Sequence, residues 1–196
     1  MSVNQSEQPA IDLARGTRLI DIGCGDGKSL VRHGIGDYEL VVGVDINLES
    51  ILKAKMLLPS CHFVVARGES LPFADGAFDR AISNVSIPLM NIPEALREIN
   101  RVLVSGGAAT LKLHDFRFAV RDLWRRTKTR SPSSVAGGIW TVINGFAFHF
   151  IGRCFKMPAS ASTWDSWQSR SAMKAALRRA GFTGRIEAPY LINAGK

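Results

Sequence analysis

The segment Asp21-Ile-Gly-Cys-Gly-Asp-Gly-Lys-Ser29 constrains this chain more than any other. It follows an apolar run of strand length, Thr17 to Asp21, and leads into a short helical segment near Lys28 to His33. Glycines at 23, 25 and 27 permit a tight strand-to-helix turn and let the backbone approach a ligand closely. A turn of this kind belongs at the carboxyl edge of a parallel sheet, so the first expectation is an α/β domain.

The rest of the chain alternates in the same way. Further strand-length runs are Glu39 to Asp45, His62 to Val65, Asp79 to Ser83 and Ala109 to Leu113. Asn47 can cap the helix after the second run, and Pro59 must follow that helix. From about Pro93 to Val104, Leu96, Ile99 and Leu103 share one helix face, with Gly106-Gly107 as the expected stop. Met173, Leu177 and Ala180 mark a late helix ended by Gly181, and two short strands, Arg185 to Ala188 and Leu191 to Asn193, close the sheet. Between strand five and that helix lie about fifty residues with no sheet pattern, longer than an ordinary connection. Their first part is basic (Arg117, Arg121, Arg125, Arg126, Lys128, Arg130, against Asp122) and their second aromatic (Trp140, Phe146, Phe148, Phe150, Phe155). Residues 118–162 are predicted to form a helical, lid-like insertion over the carboxyl edge, where α/β folds bind ligands.

A length of 196 residues supports a single domain, 1–196, with a core of its own. Three cysteines, an odd number without a C-x-x-C pair, exclude a disulfide framework and predict reduced thiols in a cytoplasmic setting. The polar first ten residues lack a basic and an apolar region, so no secretory signal is expected. Val135 to Gly152 is apolar but interrupted by Asn144, His149 and glycines, which argues against a membrane span and leaves peripheral contact open. A net charge of +8 favours anionic partners without choosing among nucleic acid, a lipid surface and acidic metabolites.

Spacing separates the cofactors that use such turns. A dinucleotide fingerprint, G-x-G-x-x-G, fails because its third glycine would fall at Lys28 or Leu30. A P-loop, G-x-x-x-x-G-K-[ST], finds Gly27-Lys28-Ser29 but needs its leading glycine at Ile22. The pattern D-x-G-x-G-x-G is matched in full by Asp21, Gly23, Gly25 and Gly27.

That pattern resembles motif I of the class I S-adenosylmethionine-dependent methyltransferases. Glu69-Ser-Leu-Pro-Phe-Ala-Asp-Gly-Ala-Phe-Asp79 resembles the E-x-L-P-F-x-D-x-x-F-D run of the family's small-molecule branch, which includes ubiquinone and menaquinone methylases. Glu94 to Gly107 resembles that branch's E-A-L-R-E-x-x-R-V-L-x-P-G-G helix and turn, with Ser105 in place of proline, and Ala180-Gly181-Phe182 its late A-G-F. The resemblance covers residues 17–115 and 166–196 and implies a Rossmann-like, doubly wound, mainly parallel sheet of seven strands. It implies S-adenosylmethionine as cofactor, with Asp21 at the methionine end, room made by Gly23, Cys24, Gly25 and Gly27, and Asp45 with Ile46 at the ribose. Arg67 stands where the family is usually acidic, so adenine contacts are expected from Gly68 and Glu69. Ser83, Asn84, Val85 and Ser86 follow strand four where the family's backbone meets the methionine amino group, and Asn84 is the one expected nearest it. His114, after strand five, is the candidate general base, since imidazole titrates near neutrality. His149 among aromatics reads as structural, and no histidine–carboxylate cluster suggests a metal.

The expected function is methyl transfer to a small, partly apolar or aromatic acceptor. Two alternatives stay open: an RNA methyltransferase, and a non-catalytic binding protein that keeps the fold. The oligomeric state is not readable from the sequence.

Overall fold

The computed structural model describes residues 17–128, 131–157, 164–188 and 191–196. The expectations on the first ten residues, on Arg130 and on the insertion's end at Ser162 lie outside the described residues. β1 (Arg18–Ile22), β2 (Leu40–Asp45), β3 (His62–Val65), β4 (Phe78–Asn84) and β5 (Leu103–Lys112) run parallel. They lie in the order β3-β2-β1-β4-β5, and the sheet continues through β7 (Leu191–Gly195) to β6 (Thr183–Ala188), with β7 antiparallel to both its neighbours.

Both faces of the parallel part are covered, which is why its strands read as unbroken apolar runs rather than as alternation. Successive side chains go to opposite faces: Leu19 and Val41 pack with Leu30 of α1 (Lys28–His33), while Ile20, Ile22, Val42 and Val44 join the larger core. That core takes Ile92, Leu96 and Ile99 from α3 (Ile92–Val102) and Met173 and Leu177 from α6 (Arg170–Arg179). Asn47 caps α2 (Leu48–Leu57) by accepting from the Ser50 amide at 3.0 Å, as its position suggested.

Two boundaries differ from the sequence expectation. α3 stops at Val102, and Gly106-Gly107 lie inside β5 rather than at a helix end, where the register against β4 jumps from Phe78–Leu103 to Arg80–Ala108. The glycines serve a strand irregularity, a role that helical periodicity cannot distinguish from a stop.

After β5 the chain forms two packed helices, α4 (Phe116–Thr127) and α5 (Pro132–Ile151). The interruptions seen in the apolar stretch do not break α5. They are its contact residues: a Cβ on Gly138 would lie 2.9 Å from Leu123 of α4, and one on Gly145 would overlap Trp167. Buried Asn144 accepts from the Phe155 amide at 2.7 Å and donates to the carbonyls of Phe155, Trp164 and Asp165. The helix is long and apolar enough to cross a membrane by length and composition, yet one side of it is committed to this domain.

Candidate functional site

A cavity of about 240 Å³ opens at the carboxyl ends of β1, β2 and β4. Its wall begins in the glycine turn, whose Gly23 and Cys24 amides both donate to the Val44 carbonyl, at 2.7 and 3.0 Å, and so bind the turn to β2. The Gly25 amide donates to Asp45 Oδ2 at 2.9 Å, and the Asn47 amide to Oδ1 at 2.8 Å. These bonds fix the Asp45 carboxylate at the cavity rim while each oxygen keeps acceptor capacity. Gly23 has φ +73°, and a Cβ there would lie 2.2 Å from that of Ser86. Gly25, at φ +55°, faces open space: nothing lies within 4 Å of where its Cβ would be.

Ser86 comes from the turn after β4. Its hydroxyl donates to the Ile22 carbonyl at 2.5 Å and so accepts from Ser83, also at 2.5 Å. The turn is reached through Val85 at φ +66°, an outlier for a β-branched residue that costs roughly 1–3 kcal/mol. Such strain persists where surrounding structure enforces it; here the Val85 amide is held by the Lys112 carbonyl at 3.0 Å. Leu89 and Met90 add an apolar wall.

The opposite wall is Ala66 to Glu69. Glu69 Oε1 accepts from the Asn91 amide at 3.0 Å and faces Arg67 Nη2 at 3.4 Å. Arg67 itself lines the cavity. Below this wall the two long sequence motifs prove to be one device. Arg101 donates to the carbonyls of Phe73 and Leu71 and to Asp75, while Glu98 accepts from the Leu71 amide at 2.8 Å and from Arg101. The α3 motif thus clamps the loop motif in place. Asp79, at the end of that loop motif, accepts from the Arg18 amide and side chain and ties β4 to β1.

Asp21 is fully buried beneath the turn. Its Oδ2 accepts from Ser29 at 2.5 Å and Oδ1 has no partner. Burial raises its pKa to about 7 despite the Ser29 bond, with a smaller push from Asp45. A buried carboxylate with an unused acceptor is suited to a cationic ligand. Residues 23, 45, 46, 68 and 69 line the cavity; Asp21 lies buried behind it, Gly25 is bonded to Asp45 beside it, and Gly27, at the start of α1, faces Ala54 of α2. Cys24 is buried and is not among the cavity-lining residues, and burial raises its thiol pKa.

Two expected residues stand elsewhere. Asn84, half-buried at the end of β4, pairs with Lys112 and is not among the cavity-lining residues; Ser86 takes its place there. His114 is not in that lining either. Its ring centroid is 3.7 Å from that of Phe118, its amide donates to Gln168 Oε1 at 3.3 Å, and its buried Nδ1 has no partner. Burial lowers its pKa against the opposing pull of Asp122 and Asp115. His149 Nδ1 lies 2.6 Å from Ser169 Oγ, the structural role expected of it. Phe148 is fully buried in the main core and is not a lid residue. Among the described residues, no part of 118–157 lines the cavity. A larger hollow of about 690 Å³, beside Arg97, Arg153 and Arg179, contains none of the glycine-turn residues. Among the described residues no cluster could hold a metal.

Leu89 and Met90 carried no sequence signal. The only clue was their position after a strand that ends beside the glycine turn.

Residues 20–111 match a family described as "Methyltransferase domain". An uncharacterized protein of Methanocaldococcus jannaschii is 32% identical over 143 residues, which are 68% of this chain and 54% of that protein. A ubiquinone/menaquinone biosynthesis C-methyltransferase of a Shewanella species is 36% identical over 104 residues, covering 47% of this chain and 40% of that one. The chain thus spans about half, or less, of the length of the curated relatives it matches. A solved S-adenosylmethionine-dependent methyltransferase from Methanosarcina mazei shares the fold with a TM-score of 0.60, at 21% identity and 94% coverage of both chains. Residues 20–111 thus form a methyltransferase domain of the class I S-adenosylmethionine-dependent type, on a fold that the chain shares over nearly its whole length.

Proposed function

We propose that this protein transfers a methyl group from S-adenosylmethionine to a small, partly apolar or aromatic acceptor. The observation that carries the reading is Asp45, held at the cavity rim by two backbone amides with acceptor capacity to spare for a vicinal diol. Asp21, buried with an unused oxygen, suits the cationic methionine end. Bound there, the cofactor supplies a methyl group on a sulfonium, whose departure as a neutral thioether needs no proton. The chain's task is then positioning and exclusion of water.

The acceptor side is assigned to the carboxyl ends of β4 and β5. His114 lies there beside Phe118, and its lowered pKa keeps the imidazole neutral and able to take a proton at pH 7. The segment after the insertion is tied to this region: the Ser166 amide donates to the Pro88 carbonyl at 3.1 Å and the Gln168 amide to the His114 carbonyl at 2.9 Å. The lid reading is therefore revised to α4, α5 and Trp164–Gln168 acting together as the acceptor wall. Named relatives support a non-RNA acceptor: one is a ubiquinone/menaquinone C-methyltransferase, another a malonyl-[acyl-carrier protein] O-methyltransferase.

Incubating the protein with methyl-labelled cofactor and a small-molecule extract tests this. Label should enter a low-molecular-weight product, and far less of it with Asp45→Ala. Label found only in RNA, or in nothing, refutes it.

A further inference from the structure

The surface of the α4–α5 pair shows an inverted pattern. The buried residues of α5 are Gly138, Thr141, Asn144, Gly145 and Phe148, mostly small or polar. Its exposed stripe is apolar: Ile139, Ile143, Phe146 and Phe150, the last 77% exposed. A helix that served only the domain core would have these faces exchanged.

α4 has three faces. Ala119 and Asp122 are buried, with Asp122 held by Arg125 and Arg126. Phe116, Val120 and Trp124 form an exposed stripe at four-residue spacing, Trp124 being 66% exposed. One residue along from each of them, Arg117, Arg121 and Arg125 form a parallel exposed stripe. Phe116 meets Phe146 edge-on at 6.0 Å between centroids, and Phe146 stacks near Phe150, so the two apolar stripes are one surface.

We propose that this surface docks the protein on an anionic lipid bilayer. The aromatic and aliphatic side chains would enter the boundary between headgroups and acyl chains, and the arginine stripe would bind lipid phosphates at its margin. Charge complementarity selects this occupant over a second copy. Asp122, already committed to two arginines, is the one acid among residues 116–157, so a two-fold contact through this face would oppose arginine to arginine. The inference is independent of the proposed reaction.

The test is co-sedimentation of the protein with phosphatidylcholine vesicles, with and without phosphatidylglycerol, at low and high salt. Binding is expected to need the anionic lipid and to fall by roughly tenfold or more at high salt. Arg117→Ala with Arg121→Ala should weaken it by about tenfold or more, and Trp124→Ser with Phe150→Ser by a similar factor, with melting temperature retained. Equal binding to both vesicle types, no binding to either, or folded double variants that bind like the parent would each overturn the proposal. So would a dimer dissolved by Trp124→Ser with Phe150→Ser in a protein that ignores vesicles. The wild-type comparison decides the question even where a variant does not fold.

Discussion

Replacing Gly23 with Ala should destabilise the fold far more than the same change at Gly25, although both glycines have positive φ and belong to one motif. At Gly23 the new methyl would lie 2.2 Å from Ser86 Cβ and 2.4 Å from its Oγ, inside any allowed contact. Ser86 cannot swing away without giving up its bonds to the Ile22 carbonyl and to Ser83. Left-handed backbone at a non-glycine residue costs roughly 1–2 kcal/mol, and the two disrupted hydrogen bonds about 1 kcal/mol each. The sum, about 3–4 kcal/mol, is a large share of the 5–15 kcal/mol typical of a domain. At Gly25 nothing stands within 4 Å, so only the backbone cost of about 1–2 kcal/mol remains. Its methyl would instead occupy space beside Asp45 and reduce cofactor affinity. Urea unfolding at constant m-value measures the first effect and calorimetric titration the second. Equal stability losses at the two positions, or a loss below about 1 kcal/mol at Gly23, would refute the assigned roles.

Asp21→Asn should flatten the dependence of stability on pH. The folded pKa, about 7, lies above the ordinary 3.8, so the native state holds the extra proton and stability is lost as pH rises between these values; an unchanged slope in urea midpoints would sink the assignment. Phe148→Ala should cost roughly 3–5 kcal/mol of stability through a core cavity, with cofactor affinity intact in the folded fraction. Loss of methyl transfer at unchanged stability would instead return Phe148 to the lid. His114→Gln should lower kcat by about a hundredfold or more. It should also abolish the acidic limb of the kcat/KM profile, whose midpoint should lie below the ordinary histidine value of 6.5; a retained limb means another base.

The parallel sheet and the cofactor turn were legible because local chemistry dictates them. Buried strands must be apolar on both faces, as Ile20 and Leu19 are, and only glycine serves at Gly23. The clamp was visible as motifs without a mechanism: Arg101 and Glu98 lie some thirty residues from the loop they hold, and no periodicity links them. Ser86, one of the four residues after strand four, was passed over for Asn84 because its importance comes from a backbone carbonyl contact 64 positions away. The insertion resisted reading for a different reason. Sequence patterns assume that apolar stripes face the core, and in α5 Ile139, Ile143 and Phe150 face out while Asn144 and Gly145 face in.

The central claim is that Asp45 and the glycine turn hold S-adenosylmethionine. Calorimetric titration of wild-type protein and Asp45→Ala with S-adenosylmethionine tests it most directly. Two charge-assisted bonds, each on the order of 1.5–3 kcal/mol, are at stake, and about 1.4 kcal/mol is already tenfold. Saturable binding to the wild type, weakened by at least about tenfold in a folded Asp45→Ala variant, is the predicted result. Wild-type protein that takes up no S-adenosylmethionine, or a variant that binds it equally well, would contradict the account.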